Sequence, residues 1–216
     1  MLDYASPFTF LFRDKAWLKK FVIASLLTYT LVGAAPVLGW MIEIVRQVGR
    51  AEVSELPDWT DWKPYWQLGG QFAFINAVWL LPFLVGTILV YLPLIFANQL
   101  QGEILLAIWG GTLLCVLFFL FIYAIIYAFF FPAMQVLLAR TGSTWQSANP
   151  VRLLKTVRAH FTQYLIVFLI VGLALFNVML VAAALTLFLL LPPLLVYTGL
   201  VTAHFAGQLM RMDRRE

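Results

Sequence analysis

Four side chains in the apolar stretches of this sequence carry its most suggestive chemistry: Glu43, Arg46, His204 and Gln208. Glu43 and Arg46 stand three positions apart, and Gln47 stands four from Glu43, so a helix sets them on one face. His204 and Gln208 are one helical turn apart. An ionisable group costs about 2.5–3.5 kcal/mol at mid-membrane on insertion scales, so such groups are usually paired or functional. Arg46 or a protonated His204 would balance Glu43. The sequence therefore predicts a polar cluster of Glu43, Arg46, His204 and Gln208. The plainer alternative leaves Glu43 and Arg46 in the headgroup region.

Little else points to catalysis. The chain has no nucleotide-binding glycine loop, no nucleophile elbow and no HExxH pattern. Its histidines are His160 and His204, and only His204 lies within an apolar stretch, so a bis-histidine haem lacks its second ligand. Cys115 is the lone cysteine, which rules out an internal disulfide and disfavours a cysteine metal site. The expectation is no enzyme activity, no catalytic or metal-binding residue and no cofactor.

The elements that would hold these residues are membrane helices. Of 216 residues, 63% are hydrophobic and 11% charged, against about 25% charged in ordinary soluble domains. No soluble fold of this length hides so much apolar surface. The net charge of +4 does not mark a nucleic-acid binder, because the basic residues sit in short clusters beside apolar runs, as membrane topology demands.

Residues 1–20 mix aromatic and basic side chains and read as an interfacial segment. The apolar stretch 21–45 is interrupted by Gly33-Ala-Ala-Pro36, where proline should break the helix. Its small residues resemble a signal-peptide cleavage site, but the long aromatic leader and Pro36 favour a retained membrane segment. The polar loop 46–67 includes Glu52, Glu55, Asp58 and Asp61, with Trp59, Trp62 and Trp66 spaced to share one face of a helix. An irregular loop with interfacial tryptophans fits the same residues. Further apolar stretches run over 69–96, 104–131, 165–191 and 194–210. Between them, Asn149-Pro150 is a helix start. Val151, Leu154, Val157 and Phe161 then follow at helical spacing, with Arg152, Lys155 and Arg158 on another face. That pattern predicts an amphipathic surface helix. Gly199, Ala203 and Gly207 form a stripe of small residues that lets a second helix come close.

Lysine and arginine are missing from the 97–103 linker and from the Pro192-Pro193 turn, which places those two connections outside and the basic regions in the cytoplasm. Counting crossings back from the tail then makes loop 46–67 cytoplasmic. The basic N-terminus is cytoplasmic too, so stretch 21–45 must enter and return on one side. Each half is too short for the ~30 Å core. A re-entrant hairpin with its tip at 33–36 meets both demands, packed against protein because broken backbone cannot face lipid. The alternative is a single kinked span. The fold class expected is thus all-α: one polytopic membrane domain over 1–216, with a re-entrant N-terminal helical hairpin, four transmembrane helices and cytoplasmic-face amphipathic helices. Both termini are cytoplasmic, in a plasma membrane that for a bacterium is the inner membrane.

Phe12-Arg-Asp14 with Trp17-Leu-Lys-Lys20, the loop Leu56-Pro-Asp-Trp-Thr-Asp-Trp62 and the closing His204-Phe-Ala-Gly-Gln208 resemble an uncharacterised prokaryotic membrane family, domain of unknown function 4013. The order of apolar stretches is similar over nearly the whole chain. The resemblance implies a multi-spanning bacterial or archaeal membrane protein and supplies no activity. The function expected from all of this is a non-enzymatic accessory or scaffold subunit, partnered by lipid and other membrane proteins and not by nucleic acid. The competing expectation is a small-solute or lipid transporter or channel, favoured by the broken first stretch and the prolines in the spans.

Overall fold

The computed structural model describes residues 2–51, 55–95 and 102–213, and every regular element among them is helical. Glu52, most of the 97–103 linker (97–101) and the basic tail 214–216 lie outside the described residues. The order is α1 (Ser6–Thr9), a 3-10 turn (Phe10–Arg13), α2 (Trp17–Thr28), α3 (Leu31–Arg50), α4 (Lys63–Ile95), α5 (Gly102–Thr141), α6 (Thr144–Ala148) and α7 (Pro150–Ala159). Then α8 (Phe161–Val167) passes through a π-helical stretch (Phe168–Leu175) into α9 (Phe176–Leu185), and α10 (Leu191–Asp213) closes the chain. Three helical runs are long and apolar enough to cross a membrane: Lys63–Ile95, Gly102–Thr141 and Phe161–Leu185. Each exceeds the ~20 residues that a bilayer core requires, and they mark the chain as a membrane protein.

The described residues divide into two compact units where the sequence reads as one domain, 1–75 with 129–216 and 76–128. In the first, α10 lies against α3 along its small stripe. Ala203 is fully buried, and a side chain at Gly207 would begin 2.4 Å from Cβ of Val48. Gly199 meets Met41 and Gly207 meets Val48, so the two helices run parallel. The start of α4 crosses α3 more closely still. A Cβ on Gly39 would fall 1.9 Å from the Tyr65 carbonyl oxygen, and one on Gly69 would fall 1.7 Å from that of Ala35. Backbones approach this closely only where small residues leave the room. Trp40, Ile42, Ile44, Phe72, Ile75 and Leu200 fill the interior, each at most 1% exposed.

The break in the first apolar stretch falls at Tyr29-Thr30, ahead of the expected 33–36. Thr30 ends the turn as the N-cap of α3, its hydroxyl oxygen accepting the Gly33 N–H at 2.9 Å. The cap fixes the helix start, and Pro36 is then the sixth residue of α3, where its missing N–H removes a single i→i−4 bond from an otherwise continuous helix. Of the two readings of the tryptophan segment, the irregular loop is the one the structure has at 56–62. Residues 56–62 are irregular and α4 begins at Lys63, whose N–H is taken by the Asp61 carboxylate at 3.2 Å. Pro57 lies inside that segment, and proline disfavours helix for the residue before it.

The amphipathic helix forms where the sequence sets it. Asn149 caps α7, accepting the N–H groups of Val151 at 2.9 Å and Arg152 at 3.4 Å, with Pro150 as its first residue. Its inward face differs in detail, because Leu153 and Val157 are buried while Val151, Leu154 and Phe161 stay exposed.

The second unit is a pair of helical segments, 76–95 of α4 and 102–128 of α5, held along one seam. The Tyr123 hydroxyl donates to the Trp79 carbonyl at 2.7 Å, Tyr127 donates to the Asn76 side chain, and Phe83 packs edge-on against Tyr123. Gly86 sits under Leu120 and Val116. Away from the seam, leucine, isoleucine and phenylalanine make up most of the exposed large side chains.

Candidate functional site

Polar chemistry in the first unit concentrates where the N-terminal segment meets the 56–62 loop. Lys20 lies in the first turn of α2 and its side chain is almost fully buried. The ammonium group donates to Asp14 Oδ2 at 2.8 Å, to Asp58 Oδ1 at 2.8 Å and to the Leu56 carbonyl at 2.6 Å. An ammonium has three N–H bonds and no lone pair, so all of its hydrogen-bonding capacity is used. Asp14 is equally committed. Its Oδ1 accepts the Ala16 N–H at 2.6 Å, and its Oδ2 accepts the Leu56 N–H at 2.9 Å besides Lys20. Burial alone would push the Asp14 carboxyl up, but Lys20 and the two backbone N–H groups outweigh it and hold it below the usual carboxylate value. Burial would likewise lower Lys20, and the carboxylates of Asp14 and Asp58 raise it instead. A saturated, fully charged lysine offers neither a base nor a nucleophile. The triad holds the loop in place.

Aromatic side chains close over the same loop. Trp40 of α3 is fully buried and donates its indole N–H to the Pro57 carbonyl at 2.9 Å. It stacks on Trp59 with ring centroids 5.0 Å apart, and the Trp59 indole N–H donates to the Lys20 carbonyl at 3.2 Å. Tyr65 meets Trp59 edge-on and donates its hydroxyl to the Asp58 carbonyl at 2.8 Å. Each buried ring therefore has its polar end satisfied by loop backbone, which such rings require. Trp62 and Trp66 remain exposed.

The end of α10 ties down the first residues of the chain. The Gln208 amide donates to the Asp3 carbonyl at 2.9 Å and to Ser6 Oγ at 3.1 Å, and its oxygen accepts the Asp3 N–H at 2.7 Å. His204 places Nε2 3.5 Å from the same Ser6 Oγ and meets the Phe10 ring edge-on, centroids 4.8 Å apart.

The four residues singled out from the sequence thus fall into two pairs. Glu43 and Arg46 approach to 3.6 Å, and Arg46 also donates to the Ala139 carbonyl at 3.1 Å in the last turn of α5. His204 and Gln208 share Ser6. No hydrogen bond or ion pair among the described residues joins one pair to the other. Helical geometry explains the split. The stripe of α10 meets Met41, Val45 and Val48 of α3, and at about 100° per residue Glu43 and Arg46 lie on the far side of that helix.

Sequence reasoning missed the Asp14–Lys20–Asp58 triad, reading Lys20 as a headgroup contact. The available signal was the recurrence of all three residues within the segments that carry the family resemblance.

These features define a helical membrane protein whose N-terminal segment is locked to a tryptophan-rich loop and to its last helix. The family described as Protein of unknown function (DUF4013) matches residues 22–201, and the chain belongs to it. The matched span takes in the 56–62 loop, while Asp14, Lys20, His204 and Gln208 lie outside it. No curated protein and no solved structure matches the chain.

Proposed function

We propose that this protein is a non-enzymatic membrane scaffold subunit, presenting the helix pair 76–128 to other membrane proteins and to lipid. The observation behind this is the bareness of that pair. In the most apolar 18 residues of α5 not one is buried within the chain, and in those of α4 only 11% are. Leu84, Ile88, Leu114, Leu117, Phe118 and Phe121 all face outward. A single seam leaves most of the pair's surface for lipid tails or partner helices, and close packing between helices is what drives association in a bilayer.

The topology that accompanies this reading has four crossings, by α4, α5, the run from α8 to α9, and α10, with α2 and α3 as a hairpin that enters and returns. The Tyr29 hydroxyl at the hairpin turn donates to the Leu189 carbonyl at 2.6 Å, so protein packs on the turn, as broken backbone in a membrane requires. The arrangement puts both termini and the 46–67 loop on the cytoplasmic face of the plasma membrane. The transporter reading draws less support, because the interior of the first unit is filled by large side chains.

The test is photo-crosslinking at Leu84 and Phe118 in native membranes, followed by purification in mild detergent at native expression. A defined membrane protein should crosslink at these positions and co-purify with the uncrosslinked chain. Recovery as a lone monomer, with crosslinks to lipid only, would overturn the subunit reading.

A further inference from the structure

A cavity of about 440 Å³ opens between the end of α5 and α7, lined by Leu137, Arg140, Thr141, Arg152, Lys155 and Thr156. That volume falls within the roughly 300–1,000 Å³ typical of small-ligand sites. Three of its six lining residues are cations and none is acidic. Along the chain, no aspartate or glutamate occurs between Glu103 and Asp213. The threonine hydroxyls add no donors. Thr141 donates to the Leu137 carbonyl at 2.7 Å and Thr156 to the Arg152 carbonyl at 3.0 Å, each within its own helix. Recognition in this cavity therefore rests on the positive side chains, with Leu137 as an apolar floor. Gln146 accepts from Arg152 Nη1 at 2.7 Å and so braces one guanidinium.

The surroundings indicate where the ligand comes from. On α7, Leu153 and Val157 turn into the protein, whereas Val151 is 74% exposed. Leu154, Phe161 and Trp145 are exposed too. Val151 and Leu154 of α7, with Trp145 of α6 and Phe161 of α8, thus stand exposed among Arg152, Lys155 and Arg158, and a surface that mixes bare apolar and basic side chains suits a membrane interface. The cations then sit at headgroup level, with the bare apolar side chains toward the acyl chains.

We infer that this cavity binds the phosphodiester headgroup of an anionic phospholipid, with Arg140, Arg152 and Lys155 as the phosphate-binding residues. Arginine suits the task because its planar fork can take two phosphate oxygens at once, while lysine contributes a point charge. Basic pockets beside membrane helices on the cytoplasmic face are a known setting for such headgroups. The inference rests on the membrane placement proposed above and is independent of the partner-subunit reading.

The experiment is native mass spectrometry of the full chain in mild detergent, titrated with phosphatidylglycerol and, separately, phosphatidylcholine. Phosphatidylglycerol should be retained in preference, and Arg152→Gln or Lys155→Gln should each weaken its binding roughly fivefold. The combined Arg140→Gln, Arg152→Gln and Lys155→Gln variant should abolish the preference. An equal number of exposed cations removed elsewhere, as Arg13→Gln, Lys15→Gln and Lys19→Gln, should leave it intact, and Arg152→Lys should retain most of it. Equal binding of the two lipids, equal loss in the control triple variant, or displacement of phosphatidylglycerol by millimolar inorganic phosphate would each overturn the inference. Crosslinks at Phe118 that persist through any of these outcomes would leave the scaffold reading standing.

Discussion

Asp14 and Leu56, 42 residues apart, are joined twice: the Leu56 N–H donates to Asp14 Oδ2 at 2.9 Å, and Lys20 bridges the same carboxylate to the Leu56 carbonyl. Removing one partner of a buried, hydrogen-bonded ion pair leaves the other charge stranded. Asp14→Ala is therefore expected to cost about 3–5 kcal/mol. Asp58 also reaches Lys20, but its side chain is 68% exposed, so Asp58→Asn should cost no more than about 1 kcal/mol. Thermal unfolding in detergent measures both. Similar losses for the two variants would mean that burial does not govern the triad.

The same triad sets a pH dependence. Asp14 is held below its ordinary value of 3.8, so its contribution is present in full above that value and disappears as pH falls through the lower folded-state value. Lys20 is held above its ordinary value of 10.5, so its contribution is complete below that value and is lost as pH rises through the higher folded one. Stability from these two groups should be flat across neutral pH, falling only in strong acid and strong base. Melting temperatures collected across pH would show it. The alkaline loss should vanish in Lys20→Met, while a loss that survives that substitution belongs to other groups.

The α3–α4 crossing separates two glycines that look alike in the sequence. At Gly39 a methyl group would strike backbone, 1.9 Å from the Tyr65 carbonyl oxygen, whereas at Gly70 nothing lies within 4 Å. Gly39→Ala should destabilise by about 1–3 kcal/mol or more, since backbone cannot rotate aside as a side chain can. Gly70→Ala should be neutral or stabilising by up to roughly 1 kcal/mol, as expected of alanine in a helix. Guanidine-free thermal melts of the two single variants give the comparison directly, and equal effects would refute the close crossing.

Much of this architecture is legible in local signals. The Asn149-Pro150 start of α7 is visible because capping chemistry acts within three residues. The Gly199, Ala203 and Gly207 stripe is visible because helical period alone aligns it. What it packs against is not, since any apolar helix could have filled that place. The Asp14–Lys20–Asp58 triad is hidden for the same reason: its bonds link distant segments, and Lys20 looks in sequence like the other cations of the interfacial segment. The residues Glu43, Arg46, His204 and Gln208 fall into two pairs through rotation about the α3 axis, which spacing along the chain does not reveal. The turn at Tyr29-Thr30 shows a different limit. A threonine cap decided the helix start while Pro36, the more conspicuous residue, proved compatible with helix.

The proposed topology yields a labelling pattern that can be read in intact cells. With Cys115 replaced, single cysteines at Glu55, Gly102 and Ala159 report on the three connections that matter, and all three positions are exposed. The 46–67 loop and the surface helix are basic regions, and the positive-inside rule sets them in the cytoplasm, while the connection at 97–103 has no lysine or arginine. A membrane-impermeant maleimide should therefore label Gly102→Cys from outside and reach Glu55→Cys and Ala159→Cys only after permeabilisation. The position at Glu55 decides between the hairpin and a single span. If α2 and α3 enter and return, residue 55 shares the side of the N-terminus, so a cysteine in place of Lys15 must behave as Glu55→Cys does. External labelling at Lys15→Cys with protection at Glu55→Cys would instead make the first stretch a single crossing, and four cations of the N-terminal segment would then stand on the outer face against the charge rule.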